Sequence, residues 1–292
     1  MDLSSTSIGP QILLAVAISF VVFLTYMVIE TLYRSYLSYG KARLALYPYT
    51  GSAAKTIVFK QDPSNSSNTT LPLSENQLTG IEFTYSCFLY ISDDTIGNEE
   101  GWKVIFYKGY ETNPFPLCGP CLLVSNTANA AGQPTLRVVM NTYEKWFNAV
   151  DVNQIPFNKW VHVAVTCRKN ALEVYVNGNL AAKKSFAGTL PYQNYQPLIL
   201  FPNAYNSDKT DVNWKTAAGE TALKHQIPAG ENFILKGKFS GYISNLYYFS
   251  YAASYSEIQG MMNLGPSSQF DESSMDKPPY LIDSWWVQKK SA

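Results

Sequence analysis

The sequence predicts an all-β protein, a two-sheet antiparallel jelly-roll sandwich, preceded by one N-terminal transmembrane α-helix. Three observations lead to this prediction. Residues 12–29 form an uninterrupted apolar run near the start of the 292-residue chain. After this run, short β-branched and aromatic segments recur between turn-forming residues, a pattern typical of sandwiches and barrels. Aromatic residues make up 14% of the chain, and Tyr and Phe favour strands.

The apolar run predicts a membrane-spanning helix over residues 12–32, after an N-terminal segment at 1–11. No charged side chain lies between Leu3 and Ile29, and about 20 apolar residues suffice for a helix to cross the bilayer core. A cleaved signal peptide would have a basic start and a small-residue cleavage site, and a buried core helix would be shorter and amphipathic. The residues expected in the bilayer are Ile12, Leu13, Leu14, Phe20, Val21, Val22, Phe23, Leu24, Val28 and Ile29.

Basic residues flank only the C-terminal end of this predicted span. Arg34, Lys41 and Arg43 follow it, and no Lys or Arg precedes it. Because basic flanks tend to stay in the cytosol, the large domain is predicted to face the cytosol. Two glycosylation sequons, at Asn65 and Asn68, would indicate a lumenal or extracellular domain if they were modified. A chain with this content of Asn, Ser and Thr contains about three such motifs by chance.

The rest of the chain is divided into a stalk at 33–54, a jelly-roll domain at 55–265 and an extended C-terminal tail at 266–292. The stalk is polar and rich in Tyr, and the tail is rich in Ser and Pro. Strands are predicted at 55–60, 81–91, 104–107, 135–140, 160–167, 172–176, 198–201 and 241–249. A short helix is predicted at 254–263, because Ser254 and Glu257 have the spacing of a capping box.

One hairpin is predicted with particular detail. In the segment 160–167 valines alternate with other residues, so one face of this strand can be buried. The dipeptide Asn177-Gly178 follows the next strand, and this pair favours the positive φ angles of a type I′ turn.

The residues that could carry chemistry form no catalytic or metal-binding motif. Cys118-Gly119-Pro120-Cys121 has the spacing of a redox pair, but it lies in a turn that leads into a strand. A reactive thiolate would need a helix N-terminus beside it. His162 lies in a predicted strand, which suits a structural side chain better than a base. We therefore predict no catalytic residue, no cofactor and no enzymatic activity.

Several segments, in their order along the chain, resemble the concanavalin A-like, laminin-G and pentraxin-type jelly rolls. Residues 160–165 and 172–178 resemble the central hairpin of these domains. Residues 241–246 and 253–258 resemble their closing strand and helix, and residues 83–88 resemble an early core strand. The resemblance covers residues 55–265 and implies the jelly-roll fold. Proteins with this type of jelly roll include glucanases, lectins and calcium-dependent binders, so the resemblance leaves the function open.

The resemblance also implies what to expect of particular residues. The acidic run that glucanases of this fold use is missing. Pentraxin-type proteins bind calcium in the loop that follows one particular strand, which corresponds to residues 198–201 of this sequence. In this chain Asp208 and Asp211 of that loop are weak calcium candidates, because Lys209 lies between them. Pentraxins also join two core strands by a disulfide, and Cys87 and Cys167 fall on comparable strands. The resemblance therefore implies a possible disulfide between these two cysteines, although a cytosolic environment would keep them as free thiols.

A narrower resemblance is to membrane-anchored, laminin-G-like proteins of large double-stranded DNA viruses. It lies in residues 106–109, 155–160, 263–267 and 278–286. It implies a virion component of the inner membrane and capsid layer. Trp285 and Trp286 are candidates for docking the tail on a neighbouring subunit, because Trp often anchors interfaces; the alternative is that they fold back on the sandwich.

These observations predict a non-enzymatic, single-pass membrane protein of structure or assembly, a viral minor capsid or inner-membrane protein. Its expected partners are membrane lipid and other structural proteins, namely capsid subunits if the chain is viral. The alternative is a surface-displayed lectin-like or receptor module, with glycan as a possible but less favoured partner. The net charge is zero and no long basic run occurs, which argues against nucleic acid as a partner.

Overall fold

The chain forms two units, an N-terminal helix within Met1–Arg43 and a β-sandwich within Leu44–Ala292. The computed structural model describes residues 8–74, 80–111, 114, 117–186, 189–202, 233–271 and 273. The predicted fold class, an antiparallel two-sheet sandwich preceded by one helix, is confirmed.

Helix α1 extends over Ile8–Ala42, which is ten residues beyond the predicted end of the span at residue 32. Its 35 residues rise about 52 Å, more than the roughly 30 Å of a hydrocarbon core. Thr25 and Thr31 donate their hydroxyl protons to carbonyls of the preceding turn, at 2.8 Å to Val22 O and 2.7 Å to Met27 O. These bonds satisfy both hydroxyls within the apolar helix.

Twelve strands in the described part of the chain form two six-stranded sheets. In chain order they are β1 (Arg43–Ser52), β2 (Ile57–Phe59), β3 (Ile81–Ile91), β4 (Trp102–Lys108), β5 (Cys121–Ser125), β6 (Leu136–Val139), β7 (Ala149–Val152), β8 (Trp160–Lys169), β9 (Ala171–Val176), β10 (Asn179–Ser185), β11 (Leu198–Leu200) and β12 (Gly241–Phe249). The first sheet has the order β1-β12-β3-β8-β9-β10, and the second β2-β11-β4-β5-β6-β7. Helix α2 (Tyr255–Leu264) follows the last strand.

The main core lies between the two sheets. Alternate residues of β3, such as Phe83, Tyr85 and Leu89, are buried there, as the period of a strand requires. The ring of Tyr85 lies 5.7 Å from that of Phe106 in the second sheet and 5.0 Å from that of Tyr248 in the first. Interdigitated aromatic side chains therefore join the sheets.

The outer faces of both sheets are partly covered by other segments. On the second sheet, Trp102 and Tyr107 pack with Trp146, Phe147 and Phe233 from the connecting loops. On the first sheet, Ile258 of α2 packs on Ala164 and Tyr175. A loop or helix that covers an outer face leaves less of it open to a ligand.

The predicted β8–β9 pair and the turn that follows it are confirmed. The two strands are antiparallel, with Val163 opposite Val176. The turn residues Asn177 and Gly178 have φ angles of 46° and 75°, in the left-handed region that the type I′ turn requires. The side chain of Asn177 also accepts a hydrogen bond from the backbone N–H of His162, at 3.0 Å.

The stalk predicted at 33–54 is wrong for most of its length. Residues up to Ala42 continue α1, and Arg43–Ser52 form β1, an edge strand of the first sheet. Leu46 and Tyr47 of this strand are buried in the sandwich core. Two of the tyrosines in this segment, Tyr47 and Tyr49, lie in β1, where Tyr47 is buried and Tyr49 is exposed.

The start of the predicted tail also belongs to the sandwich. Residues 269–271 bond to β1, where Thr50 N donates to Gln269 O at 2.8 Å and Asp271 N donates to Thr50 O at 2.9 Å. Strands β7 and β10 lie at sheet edges and were not predicted. The exposed, Lys-containing sequence of β10 lacks the apolar alternation of a half-buried strand.

Candidate functional site

The N-terminal helix carries the membrane-anchor residues predicted from the sequence. The segment Gln11–Tyr33 has a mean hydropathy of 2.8, and none of its apolar window is buried against the protein. It is long and apolar enough to cross a membrane by length and composition. The ten predicted anchor residues, all exposed on this helix, are Ile12, Leu13, Leu14, Phe20, Val21, Val22, Phe23, Leu24, Val28 and Ile29.

A row of three half-buried aromatic side chains crosses the outer face of the first sheet. Strand register places Tyr242 of β12 opposite Tyr90 of β3, and Tyr90 opposite Trp160 of β8. The ring of Tyr90 lies 5.6 Å from that of Trp160 and 5.8 Å from that of Tyr242, both edge to face. We call Tyr90, Trp160 and Tyr242 the aromatic row.

The polar tips of the aromatic row are open to a partner. The two hydroxyl groups and the indole N–H have no hydrogen-bond partner within the described chain. Tyr and Trp present a large apolar area with a polar tip, which suits recognition surfaces. The sequence shows three aromatic residues in three separate strands, and only the register of the sheet brings them side by side.

The next pair of residues on this face is buried. The ring of Phe88 lies 5.0 Å from that of His162, and His162 Nε2 lies 2.8 Å from Ser86 Oγ. Burial lowers the pKa of His162 to about 4, so the imidazole is neutral at pH 7. The Nδ1 atom is buried without a hydrogen-bond partner in the described residues.

The Ser86–His162 pair resembles half of a nucleophile–base arrangement, which the sequence did not reveal. In such a site a third group orients the base through its other ring nitrogen, and the nucleophile is open to substrate. Here Nδ1 lacks a described partner, and both side chains are almost fully buried. The pair therefore fits a structural link between β3 and β8.

The disulfide that the pentraxin resemblance implied as possible between Cys87 and Cys167 is not formed, and both thiols are free and buried. Cys167 lies opposite Phe83, and Cys87 lies opposite Val163. The two cysteines are thus four residues apart along the strands, about 13 Å. This separation far exceeds the Cα distance of about 7 Å that a disulfide allows.

The other cysteines lie in a buried turn. Cys118 and Cys121 are both fully buried, and burial together with the neighbouring Cys118 thiol raises the pKa of Cys121. The raised pKa favours the unreactive thiol form of Cys121, which fits a structural role for this residue.

The structure does not support a metal site in the described part of the chain, and the remaining predicted site residues lie outside that part. Among the described residues, no group of three or more His, Cys, Asp or Glu side chains has the arrangement of a metal site. The weak calcium candidates Asp208 and Asp211, and the docking candidates Trp285 and Trp286, lie outside the described residues. Of the two sequon residues, Asn65 is exposed and Asn68 is half-buried and donates to Asp62 O at 3.0 Å.

Comparison with known proteins identifies one family and several distant structures. The family model described as the concanavalin A-like lectin/glucanases superfamily matches residues 64–217, slightly more than half of the chain. No curated protein matches the chain.

The solved structures are similar at low identity. The receptor binding domain of botulinum neurotoxin mosaic serotype C/D has a TM-score of 0.45 and 13% identity, over 76% of this chain and 45% of that one. The binding domain of botulinum neurotoxin DC, in complex with rat synaptotagmin II, has a TM-score of 0.43 and 12% identity, over 74% and 42%. Trypanosoma rangeli sialidase has a TM-score of 0.42 and 13% identity, over 73% and 27%. The chain spans less than half of each of these proteins, and these similarities say nothing about what it binds.

Proposed function

The chain belongs to the concanavalin A-like lectin/glucanases superfamily, and we propose that it is a non-enzymatic, membrane-anchored protein of structure and assembly. The observation that carries this proposal is α1, whose apolar segment Gln11–Tyr33 has no side chain buried against the protein. A helix that is apolar on all sides requires an apolar surrounding, which a bilayer supplies. The chain then passes directly from α1 into β1 of the sandwich.

The chemistry of the sandwich supports a binding role without catalysis. The Ser86–His162 pair is buried and its Nδ1 atom has no described partner. The aromatic row offers a partly exposed surface of Tyr and Trp, the residue types that dominate binding energy at protein interfaces. We propose that the aromatic row is the contact surface for a neighbouring structural protein.

Within this proposal, the sandwich faces the cytosol and the protein belongs to a virion. The basic residues Arg34, Lys41 and Arg43 after the span support the cytosolic orientation. The resemblance of residues 106–109, 155–160 and 278–286 to virion proteins of large double-stranded DNA viruses supports a place between an inner membrane and a capsid. The neighbouring proteins would then be capsid subunits.

Membrane extraction tests the anchor. Full-length protein should remain with membranes after alkaline carbonate treatment, whereas a Val22→Lys/Phe23→Lys variant should be released. Each Lys at the centre of a span costs about 3 kcal/mol. The control, Ser64→Lys/Ser66→Lys in an exposed loop, adds the same charge and should stay in the membrane. Release of the wild-type protein would contradict the proposed anchor.

Crosslinking in assembled particles tests the contact surface. Crosslinked peptides should join the region of the aromatic row to a structural protein of the particle, and Trp160→Ala should reduce their yield. Tyr255→Ala removes another exposed aromatic side chain, on α2, and should leave the yield unchanged. Equal yields in the two variants would show that the aromatic row is not the interface.

A second candidate function is glycan binding by a surface-displayed, lectin-like module. The family and the aromatic row favour it, because aromatic rings also pack against sugar rings. Protease treatment of intact membranes separates the two functions. A protected, lumenal sandwich together with specific binding on a glycan array would support the lectin function and contradict the cytosolic assembly role.

A further inference from the structure

The C-terminal end of the described chain runs along the outer edge of the first sheet. Phe270 forms a parallel bridge with Thr50 of β1, so the chain here has the same direction as β1. It continues past the end of that strand, where Lys55 Nζ donates a hydrogen bond to Ser273 Oγ at 3.2 Å. Residues 274–292, which we call the distal tail, lie outside the described residues and continue the chain from this point.

The start of the distal tail is close to one end of the aromatic row. The end of β1 lies beside the start of β12, because Ala53 N donates to Gly241 O at 2.9 Å. Tyr242 of the aromatic row follows Gly241 directly. The segment after α2 also lies against β12, where Ser267 N donates to Ser244 Oγ at 2.7 Å. The fold therefore brings the start of the distal tail to the level of the row.

The distal tail is long enough to cross the whole row. The first sheet has the order β1-β12-β3-β8, and the terminal segment lies outside β1. With strands about 4.8 Å apart, Trp160 of β8 is about 19 Å from that segment. Pro278 and Pro279 follow Ser273 by five and six residues. In a polyproline II conformation, which advances about 3.1 Å per residue, these prolines lie about 16–19 Å from Ser273 and reach β3 and β8.

The side chains of the aromatic row suit a proline-rich segment. Tyr90, Trp160 and Tyr242 are half-buried, with their rings edge to face. Grooves lined by aromatic side chains dock proline-rich segments in several kinds of binding domain. Such a segment is already extended before it binds, so it loses little conformational entropy. The indole N–H and the hydroxyl groups of the row can donate to its carbonyls, which form no internal hydrogen bonds.

We propose that the Pro278-Pro279 segment of the same chain docks on the aromatic row. The distal tail is tethered at Ser273, and a short tether gives an effective concentration in the roughly millimolar range, so even weak docking covers the row. A neighbouring protein must then displace the tail before it contacts the row. This competition rests on the proposed function of the row, whereas the docking itself does not.

Hydroxyl-radical footprinting of the full chain in detergent tests the docking, because it measures how fast each side chain is oxidised. Trp160 and Tyr90 should be oxidised at least about threefold faster in Pro278→Ala/Pro279→Ala than in the wild-type protein, as expected if the tail covers the row about two-thirds of the time. Tyr143, which is 72% exposed, is the internal reference and should be oxidised at the same rate in both proteins.

Two variants serve as matched controls. Pro63→Ala removes a proline from an exposed loop, and Trp285→Ala/Trp286→Ala changes the distal tail but keeps its prolines. Both should leave the oxidation of Trp160 at the wild-type rate. An increase of about tenfold in protein concentration should also leave this rate unchanged, because the docked segment belongs to the same chain.

Each other result contradicts the proposal. Equal oxidation of Trp160 in the wild-type protein and the proline variant would show that the prolines do not cover the row. An equally large increase in Trp285→Ala/Trp286→Ala would assign the docking to the tryptophans, and protection that rises with protein concentration would assign it to a second copy.

Crosslinking in assembled particles reports separately on the proposed function. Crosslinks from the row to a neighbouring protein, without protection by the tail, would overturn this inference and leave the contact surface standing. Protection by the tail without such crosslinks would support the docking and overturn the contact surface.

Discussion

Single buried polar residues connect the strands of the second sheet. Arg137 of β6 is 6% exposed, and its guanidinium donates to both carboxylate oxygens of Asp151 at 2.6 Å. The same group lies 4.1 Å above the ring of Trp102. Arginine suits this position because its planar group can bond a carboxylate in two places and stack on an aromatic face at once.

We expect Arg137→Met to lower the free energy of unfolding by about 2–3 kcal/mol. The variant keeps most of the side-chain volume but removes the ion pair and the contact of the cation with Trp102. Denaturant unfolding of the solubilised protein measures the change. The matched variant Lys236→Met breaks a 2.6 Å pair with Glu99, whose side chain is 72% exposed, and should cost less than about 1 kcal/mol. Equal losses would show that burial of Arg137 contributes nothing.

His162 should make stability depend on pH. Its pKa is about 4 in the folded protein because of burial, below the value of about 6.5 in an unfolded chain. Between these two pH values the unfolded state binds more protons than the folded state. The contribution of His162 to the stability of the folded protein is therefore fully present above about pH 6.5 and is lost progressively as the pH falls to about 4. The loss is on the order of 3 kcal/mol.

Imidazole NMR signals of the full chain test this directly. The chain has two histidines, and the signal that disappears in His162→Gln belongs to His162. That signal should stay in the neutral form down to about pH 5, and the variant should show a shallower decline of stability in acid. A His162 signal that titrates near the unfolded value would contradict the prediction.

At the scale of elements, α2 illustrates how local signals and distant contacts combine. Ser254 Oγ accepts from Glu257 N at 3.3 Å, and Glu257 Oε2 accepts from Ser254 N at 2.7 Å, which completes the predicted capping box. Gln259 in the middle of the helix donates to Gly178 O at 2.9 Å. The helix is thereby bonded to the turn after β9 while Ile258 packs on the first sheet.

Removal of the cap should destabilise the protein moderately. Ser254→Ala deletes the acceptor for the Glu257 N–H, and we expect a loss of about 1 kcal/mol in the free energy of unfolding. Ser254→Thr retains a hydroxyl and should lose at most a few tenths of that amount. Thermal and denaturant unfolding measure both variants. A threonine variant as unstable as the alanine variant would indicate that packing, rather than capping, determines the effect.

At the scale of the whole molecule, β1 determines where the sandwich begins. Its Thr50 hydroxyl bonds to Ser244 Oγ at 2.7 Å, and the Tyr47 hydroxyl bonds to Asp271 at 2.7 Å. The strand thus connects β12 with the segment that follows α2. A sandwich without β1 would expose the edge of β12 and part of the core.

Two truncated chains test this boundary. A chain that starts at Arg43 should fold, because it retains every strand of both sheets. A chain that starts at Lys55, the predicted domain boundary, should lose at least about 3 kcal/mol because Leu46 and Tyr47 are missing from the core. Circular dichroism melting compares the two. Equal melting temperatures would show that β1 does not stabilise the sandwich.

The fold class was predictable because it depends on local patterns. The apolar run, the alternation in β3 and β8 and the Asn177-Gly178 turn each predicted an element that the structure contains. The edge strands β1, β7 and β10 were not predicted. Edge strands carry mixed side chains, because half or more of their surface remains in water.

The candidate sites depend on residues that are far apart in the sequence. Tyr90, Trp160 and Tyr242 become neighbours only through the register of three strands. Nothing in the sequence distinguishes Lys108 from the other lysines. Its burial depends on residues that are distant in the chain, among them Gln196, whose backbone carbonyl accepts the hydrogen bond of its ammonium group. The disulfide between Cys87 and Cys167 could not be judged from the sequence for the same reason. Two cysteines on neighbouring strands can form a bond only if the register of the strands places them side by side, and here it does not.

The amino-acid sequence by itself determined an apolar anchor, a β-rich domain and one hairpin, because these follow from the side-chain period and turn preferences of short segments. Only the tertiary structure decided that residues 43–52 are part of the sandwich, that Cys87 and Cys167 stay apart, and that Lys108 is buried. Those features arise when strands distant in sequence pair in one register. A shift of that register by one residue would move each side chain to the opposite face.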